Sequence, residues 1–215
     1  MSHIKKSELI KTLKKHQLQK IGLIDQLKIS YRPFVCPFDD LLEIIPENES
    51  VFDIGCGSGM FLSLVATYKN PKKIYGIEIN DKLIENANKL FQNLKFSSEF
   101  KKYDGKNIPD EIQNFNYIFL IDVLHHIPTK HQIAFLKNVY EKMSVGSKLI
   151  IKDIDKRNPL HYWNKIHDII FSGEIGNEPN SLQLQQELKA IGFEIITKSY
   201  RTMLLYPHFT LICKK

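Results

Sequence analysis

The stretch from residue 51 to residue 61 reads Val51-Phe52-Asp53-Ile54-Gly55-Cys56-Gly57-Ser58-Gly59-Met60-Phe61. Among its first four residues, Val51, Phe52 and Ile54 have the β-branched and aromatic side chains that are typical of a buried parallel strand. The glycines that follow at alternate positions allow a tight turn and a close approach of the backbone to a ligand. Because the apolar start of a helix comes next, a bound molecule would face unpaired N–H groups at a helix N-terminus. The stretch therefore predicts a strand–loop–helix unit that suits a carboxylate or a phosphate.

The spacing of the glycines separates two classes of ligand. The dinucleotide fingerprint G-x-G-x-x-G would require a third glycine at position 60, where the sequence has Met60. Here Asp53 instead precedes three glycines at alternate positions, and in this the loop resembles motif I of the class I S-adenosylmethionine-dependent methyltransferases. The resemblance implies that the loop holds the amino-acid end of S-adenosylmethionine. For the loop taken alone, a structural turn without a ligand is the alternative.

Strands and helices alternate along the rest of the chain. The hydrophobic pattern predicts strands at 51–54, 74–78, within 99–103, and at 117–121, 148–151, 193–198 and 209–214. It predicts helices at 38–45, 60–67, 81–91, 129–143, 160–171 and 181–191, with one or two more within 4–29. Thr129 and Gln132 form a predicted capping box, and Ser181 and Gly192 are predicted to begin and close the last helix.

This order of elements predicts the fold class. We expect an α/β fold, a three-layer Rossmann-like open sheet of about seven strands, mostly parallel with an antiparallel C-terminal strand, and helices on both faces. We expect residues 1–49 to form a helical lid or flank and residues 50–215 to form the methyltransferase domain.

Acidic residues follow several of the predicted strands. Glu78 ends the second strand, where a carboxylate can accept hydrogen bonds from a ribose; the alternative is a carboxylate that caps the next helix. By the resemblance, Asp104 accepts a hydrogen bond from the adenine amine; the alternative is an Asx turn beside Gly105. The carboxyl ends of parallel strands share one edge of an open sheet, so we expect these acids to surround one ligand that carries a sulfonium, an ammonium and ribose hydroxyls. The candidate cofactor-binding residues are Asp53, Gly55, Cys56, Gly57, Gly59, Glu78, Ile79, Asp104, Gly105, Asp122 and Val123.

The candidate catalytic residues are His126, His125 and Asp153. A sulfonium methyl group is already activated, so a base is needed only if the acceptor atom starts protonated. The histidines follow the fourth strand and are our candidates for that base, while a packed or helix-capping histidine is the alternative for each. No Asn-Pro-Pro-aromatic motif follows the fourth strand, which argues against DNA adenine and protein glutamine as acceptors. The sequence does not distinguish O-, N- and C-methylation.

The candidate substrate residues lie outside the predicted sheet: Tyr31, Arg32, His161, Tyr162 and Trp163. We expect residues 1–45 and 155–180 to shape a mostly apolar pocket for a small acceptor. Ordinary packing is the alternative for the aromatic residues, and a surface ion pair is the alternative for Arg32.

Composition restricts the remaining classes of function. The 215 residues carry a net charge of +6, but only three of the basic residues are arginines, and the lysine-rich start has no interleaved aromatics, so we expect no specific nucleic-acid binding. Three widely spaced cysteines predict neither a disulfide framework nor a metal site and fit a reducing cytoplasm. No apolar run is long enough to span a membrane.

A nicotinamide-dependent oxidoreductase and a non-catalytic cofactor-binding scaffold remain the alternatives to a methyltransferase.

Overall fold

A computed structural model describes residues 4–16, 31–94, 96–165 and 176–215. The strands are β1 Ser50–Ile54, β2 Lys73–Glu78, β3 Ser98–Lys102, β4 Tyr117–Ile121, β5 Lys148–Ile154, β6 Glu194–Met203 and β7 Tyr206–Lys214. The α-helices are α1 Lys6–His16, α2 Phe38–Ile44, α3 Met60–Lys69, α4 Asp81–Leu94, α5 Thr129–Lys142 and α6 Ser181–Ile191. Residues 31–35 and 161–165 are also helical, and short 3₁₀ helices cover Asp110–Asn114 and Leu124–His126.

The seven strands form one sheet in the order β3-β2-β1-β4-β5-β7-β6. β2 pairs with β3 in parallel, β4 pairs with β5 in parallel, and β7 runs antiparallel to both β5 and β6. The predicted α/β fold, with a mostly parallel sheet and an antiparallel C-terminal strand, is confirmed.

The chain divides into two compact units, Met1–Val51 with Cys56–Lys102, and Phe52–Gly55 with Tyr103–Lys215. In the first unit α1 packs on α3: Leu9 and Leu13 are each 1% exposed, and the Thr12 and Tyr68 hydroxyls lie 2.8 Å apart. The rings of Phe91 on α4 and Phe100 on β3 lie 4.9 Å apart and join the helix to the strand.

In the second unit β4 and β5 are buried on both faces, as expected for parallel strands with covered faces. β6 is largely exposed along its length, because it is the last strand of the sheet order and packs only against β7 within the sheet. Phe52 meets Phe115 edge to face, with ring centroids 5.3 Å apart. A buried aromatic residue thus anchors the segment that leads into the glycine loop.

Two capping predictions are wrong. Asn180, not Ser181, caps α6: its side-chain oxygen accepts hydrogen bonds from the N–H groups of Leu182 and Gln183. The side chain of Thr129 makes no capping hydrogen bond, and the Gln132 amide instead donates to three carbonyl oxygens. The Ser181 hydroxyl instead donates to the Asp155 carboxylate, and the Gln132 amide is bonded to carbonyl oxygens outside the first turn of α5. The predicted segments 17–29 and 166–171 lie outside the described residues.

Candidate cofactor and active site

Three glycines after β1 adopt left-handed backbone conformations, with φ of 75° at Gly55, 54° at Gly57 and 77° at Gly59. Only glycine takes these angles without strain. The Gly59 N–H donates to the Cys56 carbonyl at 3.0 Å, and the Gly59 carbonyl accepts from Ser63 at 2.9 Å as α3 begins. The predicted strand–loop–helix unit is present as expected from the spacing.

The surroundings of the three glycines differ. A Cβ on Gly55 would lie 2.4 Å from Cγ2 of Val123, and a Cβ on Gly59 would lie 3.3 Å from Cβ of Ala87. Protein packing therefore requires glycine at position 55 and restricts position 59. A Cβ on Gly57 would meet no atom of the described chain within 4 Å. The space beside Gly57 is open, as a ligand that approaches the backbone requires.

Glu78 binds this loop. Its side chain is buried, and Oε2 accepts a hydrogen bond from the Gly57 N–H at 3.0 Å. Oε1 accepts from the N–H groups of Ile79 at 2.9 Å and Asn80 at 3.2 Å. Asn80, not Glu78, caps α4, because its side-chain oxygen accepts from residues 82 and 83. A carboxylate offers about four acceptor positions, so Glu78 can still accept from a hydroxyl of a ligand.

Asp104 and Gly105 lie in an exposed Asx turn. Oδ1 of Asp104 accepts from the N–H groups of Lys106 at 2.8 Å and Asn107 at 2.7 Å, and Oδ2 accepts from the Asn107 side chain. The backbone N–H groups of Asn107 and Lys106 are the main reason that the pKa of Asp104 lies below its usual value. The geometry is that of the turn alternative, and the adenine contact of Asp104 stays a prediction.

A buried ion pair joins the ends of β4 and β5. Nζ of Lys152, whose side chain is 0% exposed, lies 2.6 Å from Oδ1 of Asp122. The Asp122 N–H donates to the Lys152 carbonyl at 2.8 Å, and Asp122 has a φ of 54°. The two contacts hold the residue after β4 in a conformation that costs energy for a side chain other than glycine. Sequence reasoning missed Lys152, because the hydrophobic pattern predicts that the strand ends at Ile151; the available signal was a lysine directly after an apolar run.

The structure brings two predicted catalytic residues together. His125 and Asp153 are both buried, and Nδ1 of His125 lies 2.7 Å from Oδ1 of Asp153. The His125 backbone N–H also donates to Oδ2 of Asp153 at 3.2 Å, and the Ile154 N–H donates to Oδ1 at 2.7 Å. Oδ1 of Asp153 accepts a hydrogen bond from Nδ1–H of His125, and this bond holds the His125 ring in one orientation.

His126 is exposed where His125 is buried. The two ring centroids lie 4.1 Å apart, and the His126 N–H donates to the Val123 carbonyl at 3.0 Å within the 3₁₀ helix. His125 thus has the burial of the packed-histidine alternative, and His126 has the more accessible ring; the catalytic roles of both histidines stay predictions.

Ligand atoms of Asp122, His125 and Asp153 lie within 4.8 Å of one another, in a group of the kind that can hold a metal ion. Lys152 already contacts Asp122 Oδ1, and His125 already contacts Asp153 Oδ1. One oxygen of each carboxylate therefore already has a partner within the protein. The absence of a functional metal stays a prediction.

The candidate substrate residues have different exposures. Tyr31 is 38% exposed at the start of the helical residues 31–35, and Arg32 is half-buried. His161 is buried, with Nδ1 2.9 Å from the Asn158 carbonyl, whereas Tyr162 and Trp163 are 63% and 49% exposed. Trp163 is therefore not part of a packed core. The exposed positions leave these aromatic rings accessible to a ligand.

Comparison with known proteins gives a family match over most of the chain. A profile described as a methyltransferase domain matches residues 32–198. A ubiquinone biosynthesis O-methyltransferase of Coxiella burnetii is 23% identical over 114 residues, which are 53% of this chain and 47% of that protein. A tRNA (carboxymethyluridine(34)-5-O)-methyltransferase of Saccharomyces cerevisiae is 29% identical over 121 residues, 55% of this chain and 39% of that protein. The chain thus spans about half the length, or less, of these relatives.

Among solved structures, the magnesium protoporphyrin IX methyltransferase of Synechocystis PCC 6803 with bound S-adenosylhomocysteine superposes with a TM-score of 0.70. It is 18% identical, and the alignment covers 95% of this chain and 93% of that one. At this identity the likeness shows the fold. Within the described part of the chain, no helix is long and apolar enough to cross a membrane.

Proposed function

The chain belongs to the class I S-adenosylmethionine-dependent methyltransferase family. We propose that it transfers a methyl group from S-adenosylmethionine to a small-molecule acceptor. The observation that carries the proposal is the loop around Gly57. Its N–H is bonded to the buried Glu78 carboxylate, and the space beside its Cα is open among the described residues. Such a loop lets a ligand approach the backbone next to a carboxylate that can accept from its hydroxyl groups.

The residues present fit the cofactor of the family. We assign the amino-acid end of S-adenosylmethionine to the glycine loop and a ribose hydroxyl to Glu78. Asp104 and Gly105 keep the adenine contact that the family resemblance implies, and Asp122 and Val123 stay candidate cofactor contacts because they follow β4. A third glycine at position 60, which a dinucleotide would require, is absent from the sequence. This absence disfavours the nicotinamide alternative.

The bound cofactor supplies a methyl group activated on a positive sulfur, so the protein has to align the acceptor, exclude water and remove a proton where the acceptor carries one. We assign proton removal to His126, because its ring is exposed and lies beside the ring that Asp153 holds. His125 is a positioning residue, since both its ring and its backbone N–H are bonded to Asp153.

The acceptor class is inferred from the sequence. The absence of an Asn-Pro-Pro-aromatic motif after β4 and the scarcity of arginines favour a small molecule over a nucleic acid. We keep residues 1–49 as the lid or flank, residues 50–215 as the methyltransferase domain, and Tyr31, Arg32, Tyr162 and Trp163 as acceptor contacts. The cysteines Cys36, Cys56 and Cys213 are all free thiols, which supports a reducing, cytoplasmic setting.

Calorimetry tests the cofactor assignment. We expect S-adenosylhomocysteine to bind and NAD not to bind. Replacing Glu78 by alanine should weaken binding of S-adenosylhomocysteine by about 1.5–3 kcal/mol, because a charged hydrogen-bond acceptor is lost. Glu85→Ala is the matched control, since Glu85 lies exposed on α4 and pairs with Lys89.

Four outcomes would reverse parts of the proposal. Heat on adding NAD but none on adding S-adenosylhomocysteine would favour an oxidoreductase. Unchanged affinity in folded Glu78→Ala protein would give Glu78 a structural role. Cofactor binding without transfer of a radiolabelled methyl group to a metabolite extract or to tRNA would favour a scaffold, and transfer to tRNA alone would exclude the small-molecule acceptor.

A further inference from the structure

A cleft of about 430 Å³ lies where β5 ends beside the hairpin of β6 and β7. This volume is in the range of small-molecule sites. The cleft is formed within the second compact unit. Its polar lining includes Arg157, Asn158, Arg201, Thr202 and His208.

Asp155 orients one of the two arginines. Nε of Arg157 lies 3.1 and 3.0 Å from the two carboxylate oxygens of Asp155, and Nη2 lies 2.6 Å from Oδ2. Ser181 Oγ donates to the same carboxylate at 2.9 Å. The Arg157 guanidinium also lies 5.1 Å from the centroid of the Tyr200 ring, whose hydroxyl accepts from Gln185 at 3.1 Å. Arg157 is therefore held in place before any ligand binds.

The charges of the lining favour an anion. Burial raises the pKa of Asp155, but hydrogen bonds from Arg157 and Ser181 outweigh burial, so the net pKa of Asp155 lies below its usual value. Asp155 is thus ionised at neutral pH, and its charge is matched by that of Arg157. Arg201 is the second arginine, so the lining holds two formally positive side chains and one negative carboxylate. A guanidinium has five N–H donors, and Asp155 engages only Nε and Nη2 of Arg157, so this side chain can also donate to a bound oxyanion.

The cleft begins close in the chain to the proposed catalytic histidines. Asp155 lies two residues after Asp153, the residue that binds both the ring and the backbone of His125. Within the second unit, Asp153 thus bonds to His125, and Asp155, which follows the end of β5, lines the cleft.

We propose that this cleft binds an anionic substituent of the methyl acceptor, a carboxylate or a phosphate, through Arg157 and Arg201. That the anion is part of a methyl acceptor rests on the proposed function, whereas the binding of an anion in this cleft does not. Asn158 and Thr202 add neutral hydrogen-bonding groups beside the two arginines. The acceptor class is then an organic acid or a phosphate ester, and an uncharged molecule of the same size binds more weakly.

Three small probes test the cleft: benzoate, phenyl phosphate and the neutral benzyl alcohol. NMR titrations of the full chain should show benzoate or phenyl phosphate shifting backbone signals of residues 155–159, 200–202 and 207–208, with benzyl alcohol at least fivefold weaker. Arg201→Gln should weaken binding of the anionic probe at least fivefold. Lys198→Gln is the matched control, because it removes a positive charge from an exposed position of the same strand.

The two anions distinguish the source of the charge. Binding of benzoate alone identifies a carboxylate site, binding of phenyl phosphate alone identifies a phosphate site, and either result supports the proposal. Equal binding of all three probes, shifts elsewhere in the chain only, no binding, or unchanged affinity in Arg201→Gln would overturn it. Arg157→Lys is a second variant, since it keeps a cation beside Asp155 but loses the paired donors; weaker binding of the anion is expected in it as well.

Calorimetry with S-adenosylhomocysteine on the same proteins separates the two proposals. We expect the affinity for this compound to be unchanged in Arg201→Gln. If S-adenosylhomocysteine binds and the anions do not, the cleft inference fails and the proposed function stands. If the anions bind at the cleft and S-adenosylhomocysteine does not bind, the proposed function fails and the cleft remains an anion site without an assigned reaction.

Discussion

Lys152 places an ammonium group in β5 directly after the apolar residues Leu149, Ile150 and Ile151. Its side chain is fully buried, and its ion-pair partner Asp122 is 16% exposed. A buried charge of this kind is tolerated when its partner is well placed, and removing one partner leaves the other without compensation. The pair also holds Asp122 in its left-handed conformation, three residues before His125.

We therefore expect Lys152→Met to lower the free energy of unfolding by about 3 kcal/mol, because the Asp122 carboxylate loses its cation. Urea denaturation followed by circular dichroism measures this loss. Lys137→Met, at an exposed position of α5, should change stability by about 0.5 kcal/mol or less. The double variant Lys152→Met/Asp122→Asn should recover part of the loss. Full stability of Lys152→Met would show that the ion pair contributes nothing.

The helix α1 combines an apolar interface with a polar contact. Leu9 and Leu13 are buried against the first unit, and the next turn places His16 at 9% exposure with Nε2 3.2 Å from the Thr67 hydroxyl. Burial lowers the pKa of His16, and the neighbouring charge of Lys15 lowers it further. The folded protein thus holds this imidazole neutral at a pH where the unfolded chain would begin to protonate it.

The sign of the pH dependence follows from this shift. Above the unfolded pKa of about 6.5 the ring is neutral in both states, and below it the unfolded chain binds the proton first. The stability of the wild-type protein should therefore fall as the pH drops from 7.5 to 5.5, and His16→Gln should lose less over the same interval. Urea denaturation at the two pH values measures the difference. His131→Gln, at an exposed position of α5, is the control, and an equal loss in wild type and His16→Gln would refute the assignment.

For the whole molecule, ligand binding and thermal stability are linked. A ligand that binds only the folded state at about 100 times its Kd adds about 2.7 kcal/mol of stability. For a chain of this length, 1 kcal/mol corresponds to about 2–4 °C in Tm. We expect S-adenosylhomocysteine at that concentration to raise the Tm by about 5–10 °C in differential scanning fluorimetry, and NAD at the same concentration to leave it unchanged. A comparable shift with NAD would contradict the cofactor assignment.

The strand boundaries show where local patterns are sufficient. The strands β1 and β4 were predicted within one residue, because short segments rich in β-branched and aromatic residues identify them. β5 was predicted to end at Ile151, but it continues to Ile154. Its last residues include the charged Lys152 and Asp153, and charged residues after an apolar run predict that a strand has ended. These two residues lie within β5 because Lys152 pairs with Asp122 and Asp153 pairs with His125.

The sequence by itself determined the order of strands and helices, the left-handed glycine loop and the position of Glu78 at the end of β2. These features depend on backbone preferences and on side chains close together in the chain. Only the tertiary structure decided that His125 is buried and His126 exposed, that Lys152 pairs with Asp122, and that β5 and the terminal hairpin enclose a cleft. The two buried polar pairs join residues 28 and 30 positions apart, which the parallel pairing of β4 with β5 brings together. A local sequence pattern cannot predict such a partner, because strand pairing and burial, and not neighbours in the chain, bring the two residues into contact.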